Sequence, residues 1–199
     1  MAAARAGAHI FCEKPIAIDV GAAYRMIDAA EAAGVKFMVG QVVRLYPLFR
    51  RVAEIVEAGR LGRVVAANFE GLYNITRVRW WARSATMGAL LHSPGVHDID
   101  FLRAVLGEAR AVFARESPAQ IQPGVDYKDV VHLSIAFQSG AIATLVSSVA
   151  NAVPCRRGHL LGTASSLASH SSACSRSSPG AASSSTVQSG GAMRLGLPG

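Results

Sequence analysis

Apolar residues along this chain recur with two different periods. Ile10-Phe11-Cys12 is a short apolar run that stops at Glu13-Lys14-Pro15. It suits a buried strand, since proline cannot donate to a ladder and pushes the residue before it out of helical geometry. Val20, Ala23, Tyr24, Ile27 and Ala30 then follow at helical spacing. Asp19 stands ahead of them as a cap, and Gly34 lies where helices commonly turn left-handed and stop. Val35 to Val39 is a second apolar run, ending at Gly40. Strand, helix and strand in such short compass predict one βαβ unit with parallel strands.

Beyond Gln41-Val42-Val43-Arg44 the pattern changes. Leu48, Phe49, Val52, Ile55 and Val56 line one side of a helix that Gly59 closes, and Val64 to Phe69 reads as a strand. Ser93-Pro94 has the order of a cap followed by a first-turn proline. Ile99, Leu102, Val105 and Leu106 supply the buried side of that helix, with Gly107 at its end. From Ala109 the period falls to two. Val112 and Phe113 suit one strand, and Val125 to Phe137 another, with Val131, Leu133, Ile135 and Phe137 on its apolar side. Ser139-Gly140 makes a tight turn, and Ala141 to Val149 returns as an alternating strand. His132 falls opposite the apolar set. The chain is thus α/β at its start and α+β after residue 42, with a mostly antiparallel sheet.

After Pro154 the periodicity fades. Twelve of the last 45 residues are serine, and no Asp, Glu, Phe, Trp or Tyr occurs among them. Such a segment buries too little apolar surface to offset its ordering entropy, so 155–199 is expected to be a disordered low-complexity tail. Its break in composition suggests a shifted reading frame near residues 155 to 165. The net charge is +7, but all 13 acids precede Pro154 and four of the 20 bases follow it. The excess is scattered and lacks interleaved aromatics, which argues against a nucleic-acid partner. No apolar run approaches the roughly 18 residues of a membrane span. Met1 to Gly7 leads into no sustained apolar stretch, so no signal peptide is expected. Three cysteines without a C-x-x-C argue against a disulfide framework and a zinc site, and favour a reducing, cytoplasmic compartment.

Two stretches carry candidate chemistry. Glu13-Lys14-Pro15 puts charge at the carboxyl end of a buried strand, where open α/β sheets place ligands. His97 falls in the first turn of its helix, where the positive helix end keeps an imidazole neutral and able to take a proton. His92 lies before the cap, while His97, Asp98 and Asp100 spread around a helical turn, so the four would not converge on a metal.

Together these stretches resemble the Gfo/Idh/MocA oxidoreductases (glucose–fructose oxidoreductase and inositol dehydrogenase-like), over roughly residues 5 to 154. The family carries Glu-Lys-Pro after a strand, and a Gly-Gly-(three apolar)-Asp-x-x-x-His-x-x-Asp motif. Gly88, His97 and Asp100 match the second motif, while Met87 replaces its first Gly and Ser93 its Asp. A serine can orient the His but adds no charge, which leaves a different substrate subgroup or weaker proton transfer.

The resemblance implies hydride transfer between NAD or NADP and a sugar, polyol or related hydroxyl/carbonyl substrate. Lys14 and His97 would be catalytic. Glu13, Pro15 and Gln41 would lie at the cofactor, and Arg44, Trp80, Trp81, Ser93 and Asp100 on the substrate side. The tryptophans could equally cover a sheet edge. The implied organisation is the C-terminal part of a Rossmann-like nucleotide domain over 1–42 and a partial substrate domain over 43–154. That second domain would pair copies through its sheet. No G-x-G-x-x-G turn precedes residue 10, so the chain is expected to start late, with cofactor binding and activity impaired. The alternative is a non-catalytic fragment that keeps the pairing sheet.

Overall fold

The computed structural model describes residues 1–75, 79–118, 121, 123–171 and 192–196. A short helix α1 (Ala2–Arg5) precedes strand β1 (Ile10–Cys12), helix α2 (Val20–Ala32) and strand β2 (Phe37–Val39). β1 and β2 pair in parallel, Ile10 opposite Phe37 and Cys12 opposite Val39, as a βαβ unit requires. Asp19 Oδ1 accepts from the Ala22 N–H at 2.7 Å, which caps α2, and Gly34 turns left-handed at φ +63° just past its end. The expected apolar stripe of α2 is not covered. Val20 and Tyr24 are 72% and 62% exposed, because the sheet beneath has only two strands and shields little beyond Ala30.

A 3-10 turn over Val42–Leu45 leads into helix α3 (Pro47–Glu57) and the long strand β3 (Val64–Asn74). Helix α4 (Ser84–Met87) and helix α5 (Gly95–Leu106) follow, then strands β4 (Ala109–Glu116), β5 (Val130–Phe137) and β6 (Ile142–Ser148). The β5–β6 hairpin turns at Ser139-Gly140, with Val131, Leu133, Ile135 and Phe137 buried and His132 exposed. The strand begins at Val130, later than the alternation from Val125 suggested.

Residues 155–171 correct the expectation of a disordered tail. They complete β7 (Ala150–Gly162) and form β8 (Ser166–His170), and β9 (Ala192–Gly196) pairs with β8. The sheet order is β4-β5-β6-β3-β7-β8-β9, and every pairing is antiparallel except β3 with β6. β7 runs along β3 from Asn74 to Val64, so its backbone groups are satisfied by a strand that already exists. Cys155 and Leu160 of β7 and Leu167 of β8, which pairs with Leu160, are buried, and serine is no obstacle where the ladder supplies the ordering energy. Cys12 is a free thiol, whereas Cys155 is disulfide-bonded, against the expectation from the odd cysteine count. No helix among the described residues is long and apolar enough to cross a membrane.

The core sits where α3 and α5 cover one face of the large sheet. Phe101 of α5 meets Phe49 of α3 edge-on at 4.7 Å and the Phe69 ring of β3 at 5.8 Å. This packing holds the first turn of α5 against β3 and beside the end of β1.

Candidate active site

Lys14 leaves β1 through a cis peptide to Pro15 and reaches across to the loop before α5. Its Nζ donates to Ser93 Oγ at 3.2 Å and lies 3.4 Å from Ser93 O. The ammonium also stands 5.5 Å from the centre of the Trp81 ring, within cation–π range. Burial lowers the Lys14 pKa from its ordinary value, opposed by Glu13, with Arg156 adding to the lowering. Glu13 is exposed and accepts from the Lys14 backbone N–H.

Ser93 is fully buried but does not cap α5. Pro94 is already helical and makes no side-chain cap bond, so the serine hydroxyl is left to receive Lys14. His97 falls in the first turn, and its Nδ1 lies 3.0 Å from Gln41 Oε1 rather than against Ser93. A neutral ring that donates Nδ1–H to this carbonyl oxygen keeps its lone pair on Nε2. Gln41, expected at the cofactor, therefore orients the imidazole. Burial first, then the charges of Lys14 and Arg156, lower the His97 pKa to about 4, with Asp100 and Glu13 pulling the other way. The imidazole is neutral at pH 7.

The remaining expected residues divide. Trp81 touches Lys14, and its carbonyl accepts from Tyr127 OH at 2.8 Å. Its buried Nε1 has no hydrogen-bond partner among the described residues. Trp80 is half exposed and packs edge-on against Trp81 at 5.3 Å, one layer further out. Residues 76–78 of that Arg- and Trp-rich stretch lie outside the described residues. Arg44 grips Asp100 with two hydrogen bonds, Nε to Oδ2 at 2.5 Å and Nη2 to Oδ1 at 2.6 Å. The two residues also line a cavity with Phe11, Gly40 and Gln41.

The family described as the GFO/IDH/MocA C-terminal domain matches residues 49–168, and the oxidoreductase family with an NAD-binding Rossmann fold matches residues 1–41. The chain belongs to the Gfo/Idh/MocA family. This Gfo/Idh/MocA chain is 36% identical to a 1,5-anhydro-D-fructose reductase of Ensifer adhaerens over 148 residues, covering 72% of this chain and 44% of that enzyme. It is 28% identical to inositol 2-dehydrogenase 2 of Saccharopolyspora erythraea, covering 71% of this chain and 41% of that one. Among solved structures, the aldose-aldose oxidoreductase of Caulobacter crescentus, complexed with glycerol, superposes with a TM-score of 0.79 at 29% identity. That match covers 98% of this chain and 55% of the other. The chain spans about half the length of the relatives it matches.

Tyr73 and Arg156 escaped the sequence reading, and Asp98 was weighed there only as a metal ligand. Asp98 is buried next to His97, and its Oδ1 accepts from Arg156 Nε at 3.0 Å while its Oδ2 accepts from Tyr73 OH. Asp98 shares a helical face with the buried Phe101 and Leu102, and an acid on a core stripe needs a partner. That signal was available in the spacing. The partner was not, because Arg156 stands in the stretch whose composition suggested disorder.

Pro15 and Gln41 line a cavity of about 270 Å³ beside Ile16, Ala17, Ile18 and Val96, with Asp19 and His92 at its polar edge, a largely apolar slot whose walls would suit the flat ring of a nicotinamide.

The His97 shift predicts a pH dependence of stability. An unfolded His97 takes up a proton near pH 6.5, whereas the folded one resists it down to about 4. The stabilisation is therefore complete above about pH 6.5 and is lost as pH falls toward 4. Urea denaturation at pH 4.5 and 7 should show wild type losing about 2–3 kcal/mol more than His97→Asn over that interval.

Proposed function

We propose that this chain carries the reacting half of an NAD(P)-dependent oxidoreductase acting on a sugar, polyol or related hydroxyl/carbonyl substrate. The observation that carries the reading is the convergence of Lys14, from the end of β1, with His97, from the first turn of α5. An ammonium of lowered pKa and a neutral imidazole share one site. The reductase and dehydrogenase names of the relatives add support.

When bound, the nicotinamide supplies the acceptor or donor of a hydride. In the oxidative direction the substrate C–H bond breaks with its electron pair, and the O–H proton passes to His97 Nε2. The carbon–oxygen double bond forms, and the imidazole becomes an imidazolium. Lys14 donates a hydrogen bond to the same oxygen and stabilises the negative charge that builds on it. Gln41 holds the ring with Nε2 free, and Ser93 and Trp81 hold the ammonium. Reduction runs the same steps backward.

Absorbance at 340 nm with millimolar NAD⁺ or NADP⁺ and a panel of aldoses, inositols and alditols tests the reading. Turnover with one class of substrate is expected. No turnover, together with unchanged NADH and NADPH fluorescence on adding the chain, would reject it and favour the second reading, a non-catalytic pairing module. That alternative draws on the outward face of the large sheet, where Phe113, Ile142 and Leu161 are exposed beside His132 and His159. Sedimentation equilibrium would then show a dimer without cofactor.

A further inference from the structure

We infer that Tyr73, Asp98 and Arg156 form one positioning unit for His97, which pins the first turn of α5 and places a fixed positive charge behind the imidazole. This deepens the oxidoreductase reading and rests on it for its chemical purpose. The three residues come from β3, α5 and β7. The Tyr73 hydroxyl shares its one proton between Asp98 Oδ2 and Pro94 O, the latter at 3.1 Å, and accepts from Arg156 Nη2 at 3.3 Å. Pro94 and Asp98 bracket His97 along the helix, so the two anchors fix the backbone on either side of the imidazole.

The Arg156 guanidinium stacks at 5.0 Å over the Tyr73 ring and binds Asp98 through Nε, a geometry that a planar guanidinium meets and a lysine does not. Burial and the Asp98 carboxylate raise the Tyr73 pKa, so the phenol stays protonated and remains a donor.

The charged groups around His97 come from four elements. Lys14 and Glu13 follow β1, Asp100 lies on α5 itself and is tied to Arg44, and Arg156 lies on β7. Lys14 and Arg156 both disfavour the imidazolium, and both favour an oxyanion formed beside it. Arg156 thus does electrostatically, at a distance, what Lys14 does by contact. It acts through the site rather than on the substrate, and its charge is held still by the tyrosine and the aspartate.

Histidine side-chain NMR through a pH titration tests this on the chain itself. The Asp98→Asn/Arg156→Gln double variant removes both charges without stranding one in the interior. In it the His97 midpoint is expected to rise toward 6.5, since Arg156 is among the charges that hold it down. Arg156→Lys, which keeps the charge, should move it less than half as far. Tyr73→Phe keeps both charges but loses the anchor at Pro94. It is expected to erode the preference for Nδ1–H, bringing the two ring nitrogen shifts together.

A folded double variant whose His97 titrates as in wild type overturns the electrostatic half. Unmoved nitrogen shifts in Tyr73→Phe overturn the pinning half, and that variant decides alone if the double variant does not fold. These readouts do not use turnover. Absent NAD(P)-dependent activity would reject the oxidoreductase reading and leave them standing, whereas an unmoved imidazole rejects the unit's role whatever the activity.

Discussion

Lys14→Met is expected to lower NAD(P)-dependent turnover by about 10²–10⁴-fold, the range spanned by a positioned proton-transfer or charge-stabilising group. Methionine keeps most of the unbranched stem and its contact with the Trp81 ring, so the slot beside Pro15 and Gln41 should survive. What disappears is the donor to Ser93 Oγ and, in the proposed mechanism, the donor to the reacting oxygen. The loss should fall on kcat, with the fluorescence-measured affinity for NADH changing by no more than a few-fold. His97→Asn should cost a similar factor, and the double variant little more than either single one, since the two groups act on the same oxygen. Turnover within about three-fold of wild type in Lys14→Met would remove the lysine from the mechanism. Arg51→Ala serves as the control, because its ion pair with Glu54 is exposed at both ends and worth at most about 1 kcal/mol.

Gly71→Ala is expected to destabilise the fold by about 3–5 kcal/mol, or to prevent folding, although it adds a single methyl group to a strand. Gly71 sits on the inward face of β3, and a Cβ there would overlap Asp98 Oδ2 and come within 2.7 Å of the Tyr73 hydroxyl. Neither group can retreat. Asp98 is 1% exposed and bound by Arg156, and Tyr73 is bound to both. Displacing the carboxylate would leave the Arg156 charge without its partner, and an uncompensated buried charge is far more costly than a lost methyl contact. Chemical denaturation of Gly71→Ala beside Gly59→Ala makes the test. Gly59 has a left-handed φ but no neighbour within 4 Å of an added Cβ, so its cost should stay near the 1 kcal/mol of local backbone strain. Equal losses at the two positions would mean that the approach of Asp98 to β3 is not tight.

The elements of this protein were legible wherever local pattern and burial agreed. Val131, Leu133, Ile135 and Phe137 alternate in sequence and are all buried in β5. Asp19 and Gly34 bound α2 through their own capping chemistry, which depends on nothing distant. Local chemistry misled where a distant group competed for the same atoms. Ser93 has the sequence of a cap, but its hydroxyl serves an ammonium 79 residues away. Gln41 lines the slot beside Pro15, as expected, and also holds the imidazole of His97, which its sequence position did not announce. In α2 the stripe of Val20 and Tyr24 was regular in sequence, yet the two-stranded sheet left it uncovered.

By itself the sequence determined the βαβ start, the β5–β6 hairpin and the family, and it singled out Lys14 and His97 as candidates, because each is written in neighbouring positions. Only the tertiary structure decided what holds those residues. It brought Arg156 out of a stretch whose composition suggested disorder and set it against Asp98 and Tyr73 across β3 and β7. The physical reason is that strand pairing and buried charge are satisfied by partners far along the chain. Residues 155–162 order because β3 offers them a ladder, and no local pattern records that offer.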